Sequence, residues 1–464
     1  MNTTCSVPSG YVSDVGYSAT FTHFVAPDWL DLTAQISGFA PPSRRGGFAF
    51  CELGCGLGVT SVVLAATHPD NAFYGIDMMP EHIAYGRRLA EHASVGNLTL
   101  HAMDFTGASQ LELPRFQYIV AHGVYSWIDA QAREDLRLFI DRHLAPGGLV
   151  YLSYNAMPGW AADLPFQYLV NALAQVTSGD SIARFAAAEM TLRQLSAVGV
   201  PALNISPIFS RELTRQHRRL PPSYFAHEYL AGAWQPRYVT EVRAELATID
   251  LQPIGSATFA DNFDSFVLRN AQRAALAEIE NDDLRELTRD YMLLQRFRRD
   301  VFSRDPTGLS ESEQRRALLR RRFALMRPES AVTYSMPTAA GTLRFDTPCA
   351  RSLVAALARS PQALGKLGQP ASDVVANALA LTAAEIIRPV SNNDTPVSAL
   401  NAALAELDSE AIPLPFCALR GGTALTLEAA LHRYLRGRGP LPKRLRPWRD
   451  FLARATAGPS VAAR

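Results

Sequence analysis

The stretch FAFCELGCGLGV, residues 48–59, decides the fold of this 464-residue chain. An apolar run ends on an acid, and glycine then occupies every second position. A short apolar run that ends in such a turn predicts a buried strand followed by a loop and a helix. The glycine spacing resembles two nucleotide-binding fingerprints that imply different chemistry, so the rest of the chain has to decide between them.

Strand and helix patterns alternate around this stretch as far as residue 155. Strands are predicted at 48–53, 72–77, 97–101, 117–122 and 148–154, with helices at 59–67, 80–92 and 130–144. Strands that alternate with helices are typical of a parallel, doubly wound α/β sheet.

The chain then departs from this alternation. Residues 156–235 are helical and loop-rich, which predicts an insertion over the sheet. The sheet resumes with a predicted helix in RYVTEVRAELATID (237–250) and a final strand pair in LQPIGSATF (251–259) and DSFVLRN (264–270). Beyond 270 the pattern is mainly helical, and LPFCALRGGTALTL (414–427) predicts a hairpin that would make this tail winged-helix-like.

Bulk composition is that of an ordinary globular protein. The chain is 48% hydrophobic and 19% charged, and its formal net charge is +1. A near-neutral balance gives no electrostatic footprint for nucleic acid or an anionic membrane, and the arginine-rich segment 315–327 is better interpreted as a solvated helix face.

Cysteine usage and the absence of targeting signals predict a cytoplasmic protein. The five cysteines (5, 51, 55, 349 and 417) have neither metal-site nor disulfide-framework spacing. The first residues lack the basic start and apolar core of a signal peptide, and no run of about 18 apolar residues predicts a membrane span.

The glycine loop itself separates the two fingerprints. A dinucleotide site needs a third glycine where this chain has Val59. The observed pattern, Glu52-x-Gly54-x-Gly56-x-Gly58, resembles the loop of class I S-adenosylmethionine (SAM) methyltransferases. Glycines let the methionine and ribose parts of SAM lie against the loop. Glu52 can attract the SAM ammonium, and the following helix N-terminus favours its carboxylate.

Two later strand ends support the SAM hypothesis. Asp77 ends the second strand, where its carboxylate can accept both ribose hydroxyls, and Met78 can pack on the adenine. Asp104, after the third strand, suits the exocyclic amine of adenine, with Phe105 beside the ring. Helix capping by Asp77 and turn formation by Asp104 are the alternatives. The three features in order favour the cofactor site.

Several longer segments resemble one family of these enzymes: YIVAHGVYSWI (118–128), YLSYNAMPGW (151–160), YVSDVGY (11–17), FAPP (39–42) and HEYLAGAWQP (227–236). They are similar to class I methyltransferases that carry a methyltransferase regulatory domain. Bacterial protein-lysine methyltransferases that act on outer-membrane proteins belong to this group. The chain departs from the family's pattern at AGA (231–233), in a region where substrate would be contacted.

The chain is predicted to have three parts. Residues 1–45 would form an N-terminal lid in which Tyr11 and Tyr17 close over SAM; simple packing of these two tyrosines is the alternative. Residues 46–270 would form the methyltransferase domain with its insertion at about 156–235, and the regulatory-domain likeness covers about 220–300. Residues 271–464 would form a helical C-terminal domain.

Methyl transfer requires the nucleophile, the methyl group and the sulfur to be aligned in a dry pocket. A lysine amine must also lose its proton, which desolvation favours. The reacting groups of open α/β sheets come from the carboxyl ends of strands. His122 is predicted beside the cofactor, with a general-base role as the alternative. Tyr154 and Asn155 are predicted to be catalytic. The predicted substrate contacts are Tyr125, Trp127, Trp160 and His227; core packing of the tryptophans and a surface role for His227 are the alternatives.

The leading hypothesis is a SAM-dependent methyltransferase that acts on lysine in a protein, with an outer-membrane protein as the candidate substrate. The alternatives are a small-molecule methyltransferase with the insertion as its lid, and a SAM-binding regulator. A DNA amino-methyltransferase is disfavoured, because HGVYSW (122–127) replaces the Asp/Asn-Pro-Pro-aromatic loop which that chemistry uses after the fourth strand.

Overall fold

The computed structural model describes residue 14 and residues 19–207, 222–368 and 370–457. Tyr11 and Tyr17, which are predicted to form part of the lid, lie outside these ranges. No helix in the described ranges is long and apolar enough to cross a membrane.

A seven-stranded sheet forms the centre of the protein, and it confirms the predicted doubly wound α/β class. The strands are β1 (Ala49–Leu53), β2 (Ala72–Asp77), β3 (Leu98–Ala102), β4 (Phe116–Ala121), β5 (Leu144–Asn155), β6 (Gln252–Ser256) and β7 (Phe297–Ser303). Their spatial order is β3-β2-β1-β4-β5-β7-β6, and all pairs from β3 to β5 are parallel. The strand order reverses between β1 and β4, which is where open sheets of this type bind ligands.

Helices cover both faces of the sheet. The first are α1 (Pro27–Ile36), α2 (Val59–Thr67), α3 (Pro80–His92), α4 (Phe105–Ala108) and α5 (Ala130–His143). Every residue of β1 is buried, as its continuous apolar run predicts for a central parallel strand. Trp29 of α1 is 2% exposed and donates from Nε1 to the carbonyl of Ala257 at 2.9 Å, which fixes α1 against the sheet.

The predicted final strand pair is half wrong. Residues 252–256 form β6, but DSFVLRN contains the short helix α11 (Asp264–Val267), and the last strand is β7. That strand pairs antiparallel with both β5 and β6, so the sheet takes a strand from beyond the domain boundary predicted at 270. Local patterning missed β7 because two of its buried residues, Arg298 and Asp300, are charged and form an ion pair.

The insertion is helical, as expected, and has a hydrophobic core of its own. Its helices are α6 (Leu164–Gln175), α7 (Ser181–Ala197), α8 (Pro201–Ile205) and α9 (Pro222–Leu230). Phe166, Phe185 and Tyr229 are among its buried aromatic residues. Asp14 accepts hydrogen bonds from the Ser181 backbone and hydroxyl, both at 2.7 Å, at the start of α7.

The remaining chain is mainly helical with short strands. Its helices are α10 (Val239–Ala247), α12 (Asn270–Ala277), α13 (Asp282–Leu293), α14 (Glu311–Arg320), α15 (Pro348–Arg359), α16 (Ala371–Ala383), α17 (Ser398–Glu406), α18 (Ala429–Leu435) and α19 (Arg446–Thr456). The short strands are β8 (Arg322–Leu325), β9 (Ser335–Thr338), β10 (Gly341–Arg344), β11 (Gln362–Ala363), β12 (Ile387–Pro389), β13 (Phe416–Leu419) and β14 (Thr423–Thr426). The hairpin expected at 414–427 is present as β13 and β14.

Buried charges link the C-terminal part to the central sheet. Arg321 and Arg44 both form ion pairs with Asp28 and Asp31 of α1, and the Tyr118 hydroxyl of β4 donates to Asp31 at 2.7 Å. Removing one partner would leave a buried charge uncompensated. This cluster therefore holds α1, the sheet and the start of β8 in one arrangement.

Candidate functional site

A cavity of about 830 Å³ lies at the carboxyl ends of the parallel strands. Twelve of the residues predicted for cofactor, catalysis or substrate line it: Glu52, Gly54, Gly56, Asp77, Met78, Asp104, Phe105, His122, Trp127, Asn155, Trp160 and His227. Pockets of this size take drug-sized ligands, and the strand-order reversal places this one where the fold binds them. Their individual roles stay predictions.

The three loop glycines have different structural reasons. All three have positive φ, at +73° for Gly54, +53° for Gly56 and +69° for Gly58. A Cβ on Gly54 would lie 2.4 Å from Val124 Cγ2, whereas a Cβ on Gly56 would meet no atom of the described residues within 4 Å. Gly56 therefore leaves room for a ligand against the backbone. Gly58 is not among the described residues that line the cavity; it begins α2, close to Gly86, so its cofactor contact stays a prediction.

Asp77 fastens the glycine loop to the end of β2. Its Oδ2 accepts from the Gly56 backbone at 2.8 Å, and its Oδ1 accepts from the Met79 backbone at 3.0 Å. His82 Nδ1 lies 3.3 Å from the same Oδ1. The carboxylate thus shapes the loop and also faces the cavity.

Glu52 is a buried acid at the end of β1. It is 5% exposed and accepts a hydrogen bond from the Ser61 hydroxyl. Burial raises the pKa of Glu52 to about 7, and the nearby Asp77 carboxylate acts in the same direction. A cation placed beside Glu52 would favour its ionised form.

Asp104 both caps a helix and lines the cavity. Its Oδ1 accepts from the Gly107 backbone at 2.7 Å, which caps α4. Asp104 and its neighbour Phe105 also line the cavity. The capping contact fixes the position of this strand end.

His122, at the end of β4, is held as a neutral imidazole. Its Nδ1 lies 2.8 Å from the Tyr151 hydroxyl and 3.1 Å from the Ser153 hydroxyl. Burial and the positive charge of Arg299 lower the pKa of His122 to about 3. Such a group is a poor proton acceptor near neutral pH, which argues against a general-base role.

Asn155 is held through its backbone while its side chain is left open. Its amide nitrogen donates to the Ser126 hydroxyl at 2.9 Å, and its carbonyl accepts from the Arg237 backbone at 2.9 Å. The residue is 4% exposed, yet its Nδ2 has no hydrogen-bond partner among the described residues. A buried amide without a partner is costly, and this one faces the cavity.

Two predicted site tyrosines face away from the cavity. The Tyr154 hydroxyl donates to Asp300 Oδ2 at 2.6 Å, and the Tyr125 hydroxyl donates to Glu245. Successive side chains of a strand point to opposite faces, so Tyr154 cannot share the direction of Asn155. Both hydroxyls are committed to structural contacts, which argues against the predicted catalytic role of Tyr154 and the predicted substrate contact of Tyr125.

Aromatic rings gather at the insertion side of the cavity. The ring centroids of Trp160 and Trp127 lie 4.9 Å and 6.1 Å from that of Trp234, which the sequence analysis had not singled out. The Arg296 guanidinium lies 4.1 Å from the Trp160 centroid. A face of this ring therefore already carries one of the protein's own cations.

Sequence reasoning missed several lining residues. Arg296 and Phe297 come from the unpredicted β7 and its approach, and Thr20–Thr22 precede α1. The insertion contributes Tyr224 and Glu228 of α9 next to the predicted His227. The HEYL motif was the available signal for Glu228; nothing in the local pattern pointed to Arg296.

The Tyr154→Phe variant tests whether the Tyr154 hydroxyl has a structural role rather than a catalytic one. We expect methyl transfer and SAM affinity to stay at wild-type values, because the hydroxyl does not reach the cavity. Stability should fall by about 1.5–3 kcal/mol, since the hydroxyl bonds to a buried charged group. Chemical denaturation measures the stability, and a methyl-transfer assay measures the rate. A large loss of rate with unchanged stability would support the predicted catalytic role of Tyr154.

Comparisons with known proteins agree with this geometry. Residues 45–187 match a family described as a methyltransferase domain, and residues 221–304 match a predicted methyltransferase regulatory domain. An uncharacterized Synechocystis protein is 33% identical over 361 residues, which cover 77% of this chain and 71% of that protein.

Solved structures show the same fold over nearly the whole chain. PKMT2 from Rickettsia typhi in complex with AdoHcy has a TM-score of 0.68 at 16% identity, covering 94% of this chain and 91% of that one. Another PKMT2 structure has a TM-score of 0.66 at 18% identity, covering 90% and 88%. The likeness extends through the insertion and the C-terminal part.

Proposed function

The chain belongs to the class I SAM-dependent methyltransferases that carry a methyltransferase regulatory domain, and we propose that it methylates the side-chain nitrogen of lysine in a protein substrate. S-adenosylmethionine is the methyl donor, and its sulfonium supplies an activated methyl group. The protein's own residues bind this donor, orient the acceptor and exclude water. The resemblance to bacterial protein-lysine methyltransferases supports an outer-membrane protein as the acceptor.

The cofactor half of the cavity fits the donor. Gly56 leaves its backbone open, which suits close approach by the donor. We assign Glu52 to the ammonium of SAM and Asp77 to its ribose hydroxyls. Met78 and Phe105 would enclose the adenine, with Asp104 at its exocyclic amine. His122 completes this wall as a neutral side chain.

The buried, unpartnered amide of Asn155 is the observation that supports acceptor chemistry most directly. Among the described residues, no hydrogen bond from Nδ2 fixes the orientation of this amide, so its oxygen can accept an N–H of a neutral amine. Such a bond would hold the nitrogen lone pair towards the methyl group. Burial among aromatic side chains disfavours the ammonium form and so favours the nucleophilic one.

Isotope-labelled SAM tests this proposal. The purified protein is incubated with labelled SAM and candidate outer-membrane proteins, and the products are mapped by mass spectrometry. We expect labelled methyl-lysine. Label that appears only on small molecules would reject the protein substrate.

The second candidate function is a small-molecule methyltransferase, and the position of the insertion supports it. Tyr224, His227 and Glu228 of α9 form part of the cavity wall, as a closing lid would. This candidate predicts transfer to metabolites in a protein-free extract, whereas the leading proposal predicts none. Incubation of the same labelled SAM with the two fractions separates them.

The pKa of Glu52 predicts a pH-dependent affinity for SAM. This carboxyl is protonated below a pH of about 7 and ionised above it, and only the ionised form attracts an ammonium. Affinity should therefore rise with pH up to about 7, by at most about tenfold per pH unit, and then level off. Calorimetry across this range measures the slope. Glu52→Gln should bind more weakly without the slope, and an unchanged slope in that variant would exclude Glu52 as its source.

A further inference from the structure

Arg296 is held rigidly at the acceptor side of the cavity. Its Nη1 forms an ion pair with Asp163 and also donates to the Gly159 carbonyl at 2.9 Å. Asp163 is completely buried and accepts a second hydrogen bond, from Ser206. With Trp160 beneath its guanidinium plane, Arg296 has one edge anchored and little rotational freedom.

The other edge of the same guanidinium is unused. Among the described residues, neither Nε nor Nη2 of Arg296 donates a hydrogen bond, and its side chain is 36% exposed. The Arg296 carbonyl accepts from the Ala156 backbone at 2.8 Å, so Arg296 adjoins the residue that follows Asn155. Two parallel N–H donors beside the acceptor position match a carboxylate or a carbonyl oxygen.

Charge in the cavity points the same way. Six acids among the described residues line the cavity: Glu52, Asp77, Asp104, Asp129, Asp135 and Glu228. Within the described part of the chain, Arg296 is the only lysine or arginine in the lining. An anionic or strongly hydrogen-bond-accepting oxygen of a substrate is therefore best accommodated beside Arg296.

We propose that Arg296 determines specificity by binding an oxygen of the protein substrate next to the target lysine. The oxygen belongs either to a flanking acidic side chain or to a main-chain carbonyl, since both offer the same acceptor chemistry. This inference rests on the lysine methylation proposed above. It also implies that the Trp160 face occupied by Arg296 does not hold the target amine as a cation.

Short peptides with a single lysine test the proposal. One set places Glu or Gln at each position flanking the lysine, and a second replaces the adjacent peptide carbonyl by a methylene. Wild type is compared with Arg296→Gln and Arg296→Lys. Arg193→Gln is the matched control, since Arg193 lies on α7 in an exposed ion pair with Glu189 and does not line the cavity. Calorimetry with SAM accompanies each variant.

We expect Arg296→Gln to raise the peptide KM by about 10- to 100-fold while SAM affinity holds. If the bound oxygen belongs to a flanking side chain, wild type should prefer peptides with Glu over those with Gln, and Arg296→Gln should lose this preference. If the bound oxygen is a main-chain carbonyl, the methylene replacement should raise the peptide KM of wild type but not that of Arg296→Gln. Arg296→Lys should rescue little, because a lysine lacks the planar fork.

The negative outcomes are distinguishable. If wild type methylates lysine in these peptides and Arg296→Gln shows the same KM and preferences, the specificity role is overturned and the proposed function stands. If wild type methylates no lysine in peptides or proteins but methylates metabolites, the proposed function fails and the inference fails with it.

Discussion

Asp77→Ala is expected to weaken SAM binding by about two to four orders of magnitude. Two ribose hydroxyls donating to a charged acceptor contribute about 1.5–3 kcal/mol each. The substitution also removes the acceptor for the Gly56 and Met79 backbone groups, so the glycine loop loses its tie to β2. The SAM affinity of Asp77→Asn should lie between those of wild type and Asp77→Ala, because Asn keeps one acceptor oxygen and loses the charge.

Calorimetry with SAM measures this effect. Asp70→Ala is the matched control, because Asp70 is an exposed acid just before β2, at the amino end of the strand that Asp77 ends. The control should bind as wild type does. If Asp77→Ala binds SAM with the same heat and affinity as wild type, the proposed position of SAM beside Asp77 has no basis, whatever the assay of methyl transfer shows.

The first five strands could be predicted because their signals are local. Each of β1 to β5 is a short apolar run, and the helices between them have their own periodicity. Strand β7 lacks such a signal. Arg298 forms ion pairs with Asp300 within the strand and with Glu286 and Asp290 of α13, so the partners that make its burial tolerable lie partly outside the local pattern.

Most residues that line the cofactor side could also be predicted, because the glycine loop and the two acids follow consecutive strand ends in a recognisable order. The acceptor side was less so. Asn155 was identified, but Tyr154 was grouped with it although a strand turns the two side chains to opposite faces. Arg296 reaches the cavity only because β7 pairs with β5, which a local sequence pattern does not express.

Asn155→Ala should separate activity from stability. Because its amide has no partner in the described structure, its removal relieves an unsatisfied buried group, which costs about 1–3 kcal/mol. We therefore expect the melting temperature to hold or rise. The methyl-transfer rate should fall about 100-fold or more if the amide aligns the acceptor, with SAM affinity unchanged.

Asn97→Ala is the matched control with the opposite expectation. The Asn97 Nδ2 lies within hydrogen-bonding distance of the carbonyls of Ala65, His68 and Asn71, at 3.2, 3.0 and 2.8 Å, and the residue does not line the cavity. Its removal should lower the melting temperature and leave the rate per folded molecule intact. The contrast matters because a natural protein retains a destabilising buried group where function requires it. If Asn155→Ala instead loses stability as Asn97→Ala does and keeps its rate, the amide is a packing element and the acceptor must be aligned by other residues.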